Sequence, residues 1–151
     1  MTLDLRAGLH EACQRVFPIH PNYATLPIQT GFDWSALSGC SFDGLYLVVF
    51  RSMRRMTADL DLLREYDDRA YEEAVGSGGL LHYFKGDADE QNQCLSFCLW
   101  ESRDDARRAA GGKIHGEAAR ITTEMYESYL LERYELTSGE DIEAELVLRR
   151  L

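Results

Sequence analysis

Hydrophobic and polar positions follow two different periods along this chain. Gly44-Leu45-Tyr46-Leu47-Val48-Val49-Phe50-Arg51-Ser52 is dense in β-branched and aromatic residues, the composition of a strand with both faces covered. Leu60, Leu63, Tyr66/Asp67, Ala70 and Ala74 then recur at helical spacing, with acids on the other side. Thr57 is the expected N-cap, and Asp59 and Asp61 suit a first helical turn. Gly76-Ser77-Gly78-Gly79 supplies the stop, because glycine takes the left-handed conformation that helix ends favour. Residues 80–85 and 94–101 read as two strands around the polar turn 86–93, a hairpin. Ser102 caps the next helix, with Asp104 and Asp105 in its first turn. Gly111-Gly112 interrupts it, and a further helix runs from about His115 to Met125. Residues 129–136 alternate as a fourth strand.

The flanks are less regular. Leu5, Leu9, Cys13 and Val16 mark a short helix over 3–16. Pro18, Pro21 and Pro27, the only prolines, fall in an extended arm over 17–43 that carries Phe32 and Trp34. The chain therefore divides into an N-terminal extension (1–43), a proline-free body (44–137) and a tail (138–151) centred on Leu146-Val147-Leu148. The body's order, β-α-β-β-α-β, predicts an α+β, ferredoxin-like fold: a four-stranded antiparallel sheet with both helices on one face. Both parities of the first and third strands are apolar, so the other sheet face also needs a cover. A second copy of the chain is the expected cover, making a two-fold homodimer. The alternative is the arm, with Phe32 and Trp34 as anchors.

A length of 151 residues fits one domain. No stretch approaches the roughly 20 apolar residues of a membrane helix, and the start lacks the pattern of a secretory signal. The net charge of −10 disfavours nucleic acid and anionic membranes as partners. Cys13, Cys40, Cys94 and Cys98 form no C-x-x-C pair. Cys94 and Cys98, four apart on one strand, would lie roughly 13 Å apart, too far for a disulfide. Reduced thiols and a cytoplasmic protein are expected. His10, His20, His82 and His115 have no zinc-ligand spacing, and Asp87-Ala88-Asp89-Glu90 lacks the glycine and distal glutamate of a calcium loop. No metal and no cofactor is expected.

The strand order, the hairpin ending Leu99-Trp100-Glu101-Ser102, the helix with Ala106 and Ala109, and the loop carrying His115 resemble the dimeric α/β-barrel superfamily. Its antibiotic-biosynthesis monooxygenase-like and stress-responsive groups are the nearest. Leu47-Val48-Val49-Phe50-Arg51-Ser52, Trp100-Glu101-Ser102 and Met125-Tyr126-Glu127 resemble more closely a mainly fungal branch with no assigned activity. The resemblance covers about residues 44–137. It implies a pocket between sheet and helices, lined by apolar and aromatic groups. It also implies a range of chemistry: cofactor-independent oxidation of aromatic polyketides, haem degradation, lactone isomerisation, cyclisation, or none.

Three residues are candidates for catalysis. His115, before the last helix, suits a general base near a pocket mouth, or a helix-start residue bonded to backbone. His82, on the Leu80/Phe84 side of its strand, suits a base or a haem ligand, or an interface imidazole. Arg51 suits carboxylate or phenolate binding, or pairing with Asp59, Asp61 or Glu101. Trp100, Tyr83, Tyr66 and Tyr126 suit stacking on an aromatic ligand, or core packing. Ser96 and Cys98 share a strand face, and a nucleophile there would need His82 as its base. The functions expected are binding of a small aromatic or apolar ligand, with or without catalysis, a purely structural dimer, or a haem enzyme.

Overall fold

The computed structural model describes the backbone of residues 3–138 and 146–151, with side chains from residue 8 onward. The side chain of Leu5 and the tail positions 139–145 lie outside the described residues. In chain order the elements are α1 (Leu3–Cys13), α2 (Ile28–Gly31), a 3-10 turn (Trp34–Leu37), β1 (Leu45–Arg54), α3 (Leu60–Ser77), β2 (Leu80–Phe84), β3 (Gln93–Trp100), α4 (Arg103–Ala110), α5 (Lys113–Met125), β4 (Tyr126–Thr137) and β5 (Val147–Arg150). The sheet has five strands, not the expected four, in the order β2-β3-β1-β4-β5, all antiparallel. The added strand is the apolar centre of the tail, which returns to pair Val147 with Thr137 and Leu148 with Leu136.

Local chemistry sets most boundaries. Ser102 caps α4 by accepting from Asp105 N, as its position predicts. The cap of α3 is Asp59 rather than Thr57: its carboxylate accepts from Leu62 N at 3.0 Å, so the helix starts at Leu60. Leu60 thereby falls on the outer side and is exposed. Gly78 (φ +88) and Gly79 (φ +87) end α3 in the left-handed region. A register shift between Leu80 and His82 changes which way β2 faces. Leu80 joins the helix side, while His82 packs beside Phe97 on the opposite one.

That opposite face carries the main core. Leu45, Leu47 and Val49 of β1 and Leu95, Phe97 and Leu99 of β3 all point to it and are buried. The expected cover was a second subunit; the chain's own N-terminal segment fills the place. Leu9, Ala12 and Cys13 of α1, with Val16, Ile28, Phe32, Trp34, Leu37 and Phe42, close over the sheet. The Phe32 ring meets Phe97 edge-on at 5.2 Å and Phe84 at 5.1 Å. Trp34 Nε1 donates to Ile28 O at 2.9 Å, so the buried indole is satisfied. Each such side chain contributes roughly 1.5–3 kcal/mol on burial.

A polar clamp fixes the arm at one edge. Arg51 projects from β1 to the arm side and donates from Nη1 to Ala24 O (2.9 Å) and from Nη2 to Leu26 O (2.8 Å). Its Nε donates to Glu132 Oε2 at 2.8 Å, and Tyr134 donates to Glu132 Oε1 at 2.9 Å. Burial raises the Glu132 carboxyl, but the Arg51 and Tyr134 hydrogen bonds outweigh it and hold it below its ordinary 4.5. Removing one partner of a buried pair strands the other charge. Glu132→Ala is therefore expected to lower stability by about 3 kcal/mol in urea unfolding near neutral pH. A depressed carboxyl contributes fully above its unfolded value, and the contribution fades as pH falls through the folded one. The variant's penalty should accordingly shrink steadily below pH 4.5.

Candidate functional site

The helix layer is looser than the arm layer. β1 is a central strand, yet on the helix side Val48, Phe50, Ser52 and Arg54 are only half-buried, as are Ser96 and Cys98 of neighbouring β3. The helices above show the same. Among the described side chains, α3 buries only Ala74 fully in 18 residues, and α5 only Met125 in 13. The layer closes at one end, where Trp100 and Tyr46 pack with Ala74, Ala106 and Ala109 under α4. Toward the other end partly exposed side chains of β1, β3 and β4 face α3 and α5, and this looser part of the layer is called the cleft.

A polar constellation sits in this cleft. Tyr83 of β2 donates to Asp67 Oδ1 at 2.6 Å, and Lys85 Nζ lies 2.7 Å from Asp67 Oδ2. Asp67 thus turns inward from α3 although it stands among charged neighbours. Burial, then the Asp67 charge and hydrogen bond, push the Tyr83 phenol far up, so it remains a proton donor. Burial likewise raises the Cys94 and Cys98 thiols and the Tyr126 and Tyr129 phenols. Tyr129 is 42% exposed all the same. Its ring lies 5.3 Å from Tyr126 and 6.3 Å from Phe50. These rings make an aromatic wall, and the Arg54 guanidinium acts against burial at both Tyr126 and Cys94. With their thiols protonated, Cys94 and Cys98 are not nucleophiles.

The residues singled out from sequence divide between this cleft and other places. Tyr83 and Tyr126 are in it. Tyr66 is half-buried on α3, with the Arg69 guanidinium 5.6 Å from its ring centre. Trp100 belongs to the closed end and is core. Arg51 faces the arm, and its partner is Glu132 rather than Asp59, Asp61 or Glu101. It also borders an open groove of about 750 Å³ on that side, between arm residues 24–29 and β4, where Leu130 and Arg150 take part. His82 lies beneath the arm: Gln14 Oε1 accepts from its Nδ1 at 3.0 Å, and Gln14 Nε2 donates to Leu81 O. Its Nε2 is buried, which leaves no open side for a haem iron. Burial also holds the imidazole below its ordinary 6.5. Ser96 and Cys98 face the other way, so His82 cannot serve them as a base.

His115 proves to be part of a cap. Glu73 of α3 reaches the start of α5, where its carboxylate accepts from Ile114 N (2.9 Å), His115 N (3.1 Å) and His115 Nδ1 (2.8 Å). A carboxylate only accepts, so this ring nitrogen carries the proton. Asp67 and Tyr129 are the cleft residues that pattern reading missed, while Arg54 stands out in the sequence only as part of a small basic island around Arg51. Asp67 shared a helical position with Tyr66 in the apolar stripe, and that misfit was the one available signal.

The Glu73 cap gives a pH-dependent test. The His115 ring, then the Ile114 N–H, draw the Glu73 carboxyl down to about 2 from 4.5. Its stabilisation is complete above 4.5 and is lost as pH falls through about 2. Glu73→Gln removes the charge at neutral pH, and amide exchange at Ile114 and His115 should accelerate several-fold. Gly112→Ala should act in the same direction, because an added Cβ would collide with the Glu73 carboxylate and displace it.

Comparison with known proteins agrees with this architecture. A protein of unknown function from Nitrosomonas europaea (NE2512) superposes with a TM-score of 0.52 at 13% identity, over 65% of this chain and 94% of its own. A putative antibiotic biosynthesis monooxygenase from the same organism gives 0.53 at 11%, over 66% and 95%. Rv0793 from Mycobacterium tuberculosis gives 0.52 at 16%, over 64% and 97%. The structural neighbours are thus antibiotic-biosynthesis monooxygenase-like, ferredoxin-like barrel proteins, and at these identities the likeness concerns the fold. About a third of this chain has no counterpart in them. In sequence, the fission yeast (Schizosaccharomyces pombe) UPF0643 protein PB2B2.08 is 36% identical over 97 residues, 60% of this chain and 44% of that protein. This chain therefore matches less than half the length of that fungal relative. The model of the PB2B2.08-like family matches residues 2–149, and the chain belongs to that family.

Proposed function

We propose that this protein binds a small, mainly apolar or aromatic molecule in the cleft between the sheet and helices α3 and α5. The observation that carries the reading is the partial exposure of Phe50 and Ser96 on the two central strands, beyond the Trp100 cluster and under helices that fully bury only Ala74 and Met125 among their described side chains. Small-molecule sites combine apolar walls with a few fixed polar groups. Phe50, Tyr126 and Tyr129 supply the wall, and the Tyr83–Asp67–Lys85 set supplies orientation. Cofactor-independent oxygenation, isomerisation or cyclisation would draw on that set, where the phenol is a proton donor beside a carboxylate. His115, His82 and Arg51 are proposed as supports of the fold, since each is bonded within it.

The same reading gives the arm the role a second subunit has in a dimeric barrel. The homodimer expected from sequence used the sheet face that residues 9–42 now fill. We propose that the chain needs no partner on that face. Native mass spectrometry is expected to show a 17.2 kDa monomer; a dimer would assign self-association to another surface.

The site is tested with a neutral apolar probe, N-phenyl-1-naphthylamine. Its fluorescence should rise on binding the wild type. Ala70→Phe, on the inward side of α3 with Asp67 and Ala74, should weaken binding at least tenfold with the unfolding midpoint little changed. Unaltered binding by Ala70→Phe would remove the cleft from consideration.

A further inference from the structure

We infer that Arg54 is the anion anchor of the cleft, and that the ligand carries a single negative charge, such as a carboxylate, at one end of a flat apolar body. The inference rests on the cleft being the ligand site. Arg54 is the last residue of β1, just past the register shift at Met53/Arg54. Its Nε is buried and has no hydrogen-bond partner among the described residues. A buried guanidinium N–H without an acceptor is costly to leave unmade, and such an orphan asks for a partner. Arg54 pairs with Tyr126 of β4 in the sheet register, which places it at the aromatic end of the cleft, and its side chain hydrogen-bonds the Tyr126 phenol.

The charge balance points the same way. Asp67, the carboxylate of the cleft, is held by Tyr83 and neutralised by Lys85. Asp87, on the exposed hairpin turn, is felt at Cys94 but makes no ion pair with Arg54. Among the described residues Arg54, hydrogen-bonded to the neutral Tyr126 phenol, makes no ion pair, inside a chain whose net charge is −10. A guanidinium is planar and forked, suited to a carboxylate, while the Tyr126, Tyr129 and Phe50 rings next to it suit a flat apolar body.

The test uses two probes of one shape, 2-naphthoate and neutral 2-naphthamide, titrated by calorimetry. Wild type is expected to bind the carboxylate at least tenfold more tightly than the amide. Arg54→Gln should abolish that preference by weakening carboxylate binding far more than amide binding. Arg54→Lys should keep part of it, since an ammonium retains the charge but not the fork. Equal binding of both probes by the wild type, or a preference that survives Arg54→Gln, would overturn the anchor and leave the cleft reading standing. Binding of neither probe, or amide binding untouched by Ala70→Phe, would overturn both. Should Arg54→Gln not fold, the wild-type preference and its reduction in Arg54→Lys decide the question.

Discussion

A twisted sheet with two apolar faces cannot stand in water with one of them bare, and this chain meets that constraint from within. The face formed by Leu47, Val49, Leu95, Phe97 and Leu99 is covered by a segment that precedes it in sequence. Phe32 is the centre of that cover, with Tyr23, Phe84 and Phe97 around it at edge-on angles. Close packing there makes the arm part of the core rather than an appendage. Arg51, held by Glu132, then fixes its edge by donating to the Ala24 and Leu26 carbonyls.

The two layers are held by different physics. The arm layer is apolar and closed. The helix layer is tied mostly by polar links: Glu73 across to α5, Asp67 down to Tyr83 and Lys85, and an Arg108–Ser77 O bond between α4 and the end of α3. Polar links at a layer's rim hold helices in place without filling the space beneath them. A domain whose stability is supplied on one face can leave the other partly open, and openness is what a binding site requires. The arm and the cleft are in this sense one arrangement, with the closed side supporting the open one.

Much of the fold was legible in the sequence. The Gly44–Ser52 run, the Ser102 cap, the glycine stops and the polar turn before Cys94 are local signals, and local signals survive the absence of coordinates. The fifth strand was visible only as an apolar spot at Leu146–Leu148, because pairing with β4 is a non-local event. Leu80 shows the same limit on a smaller scale: a register shift in β2 puts it on the helix side while His82 and Phe84 stay together on the arm side, and no residue type announces such a shift.

Composition, periodicity and capping residues determined the elements, their order and a sheet with no face made for water. They could not say what would cover that face, since a second subunit and an N-terminal arm satisfy the same hydrophobic requirement. Nor could they find the cleft. Asp67, Tyr83 and Arg54 come from three different elements, and what makes them a site is a gap between layers. A gap is a property of how helices rest on a sheet, set by packing at the ends under α4 and around Met125, and only the tertiary structure decided it.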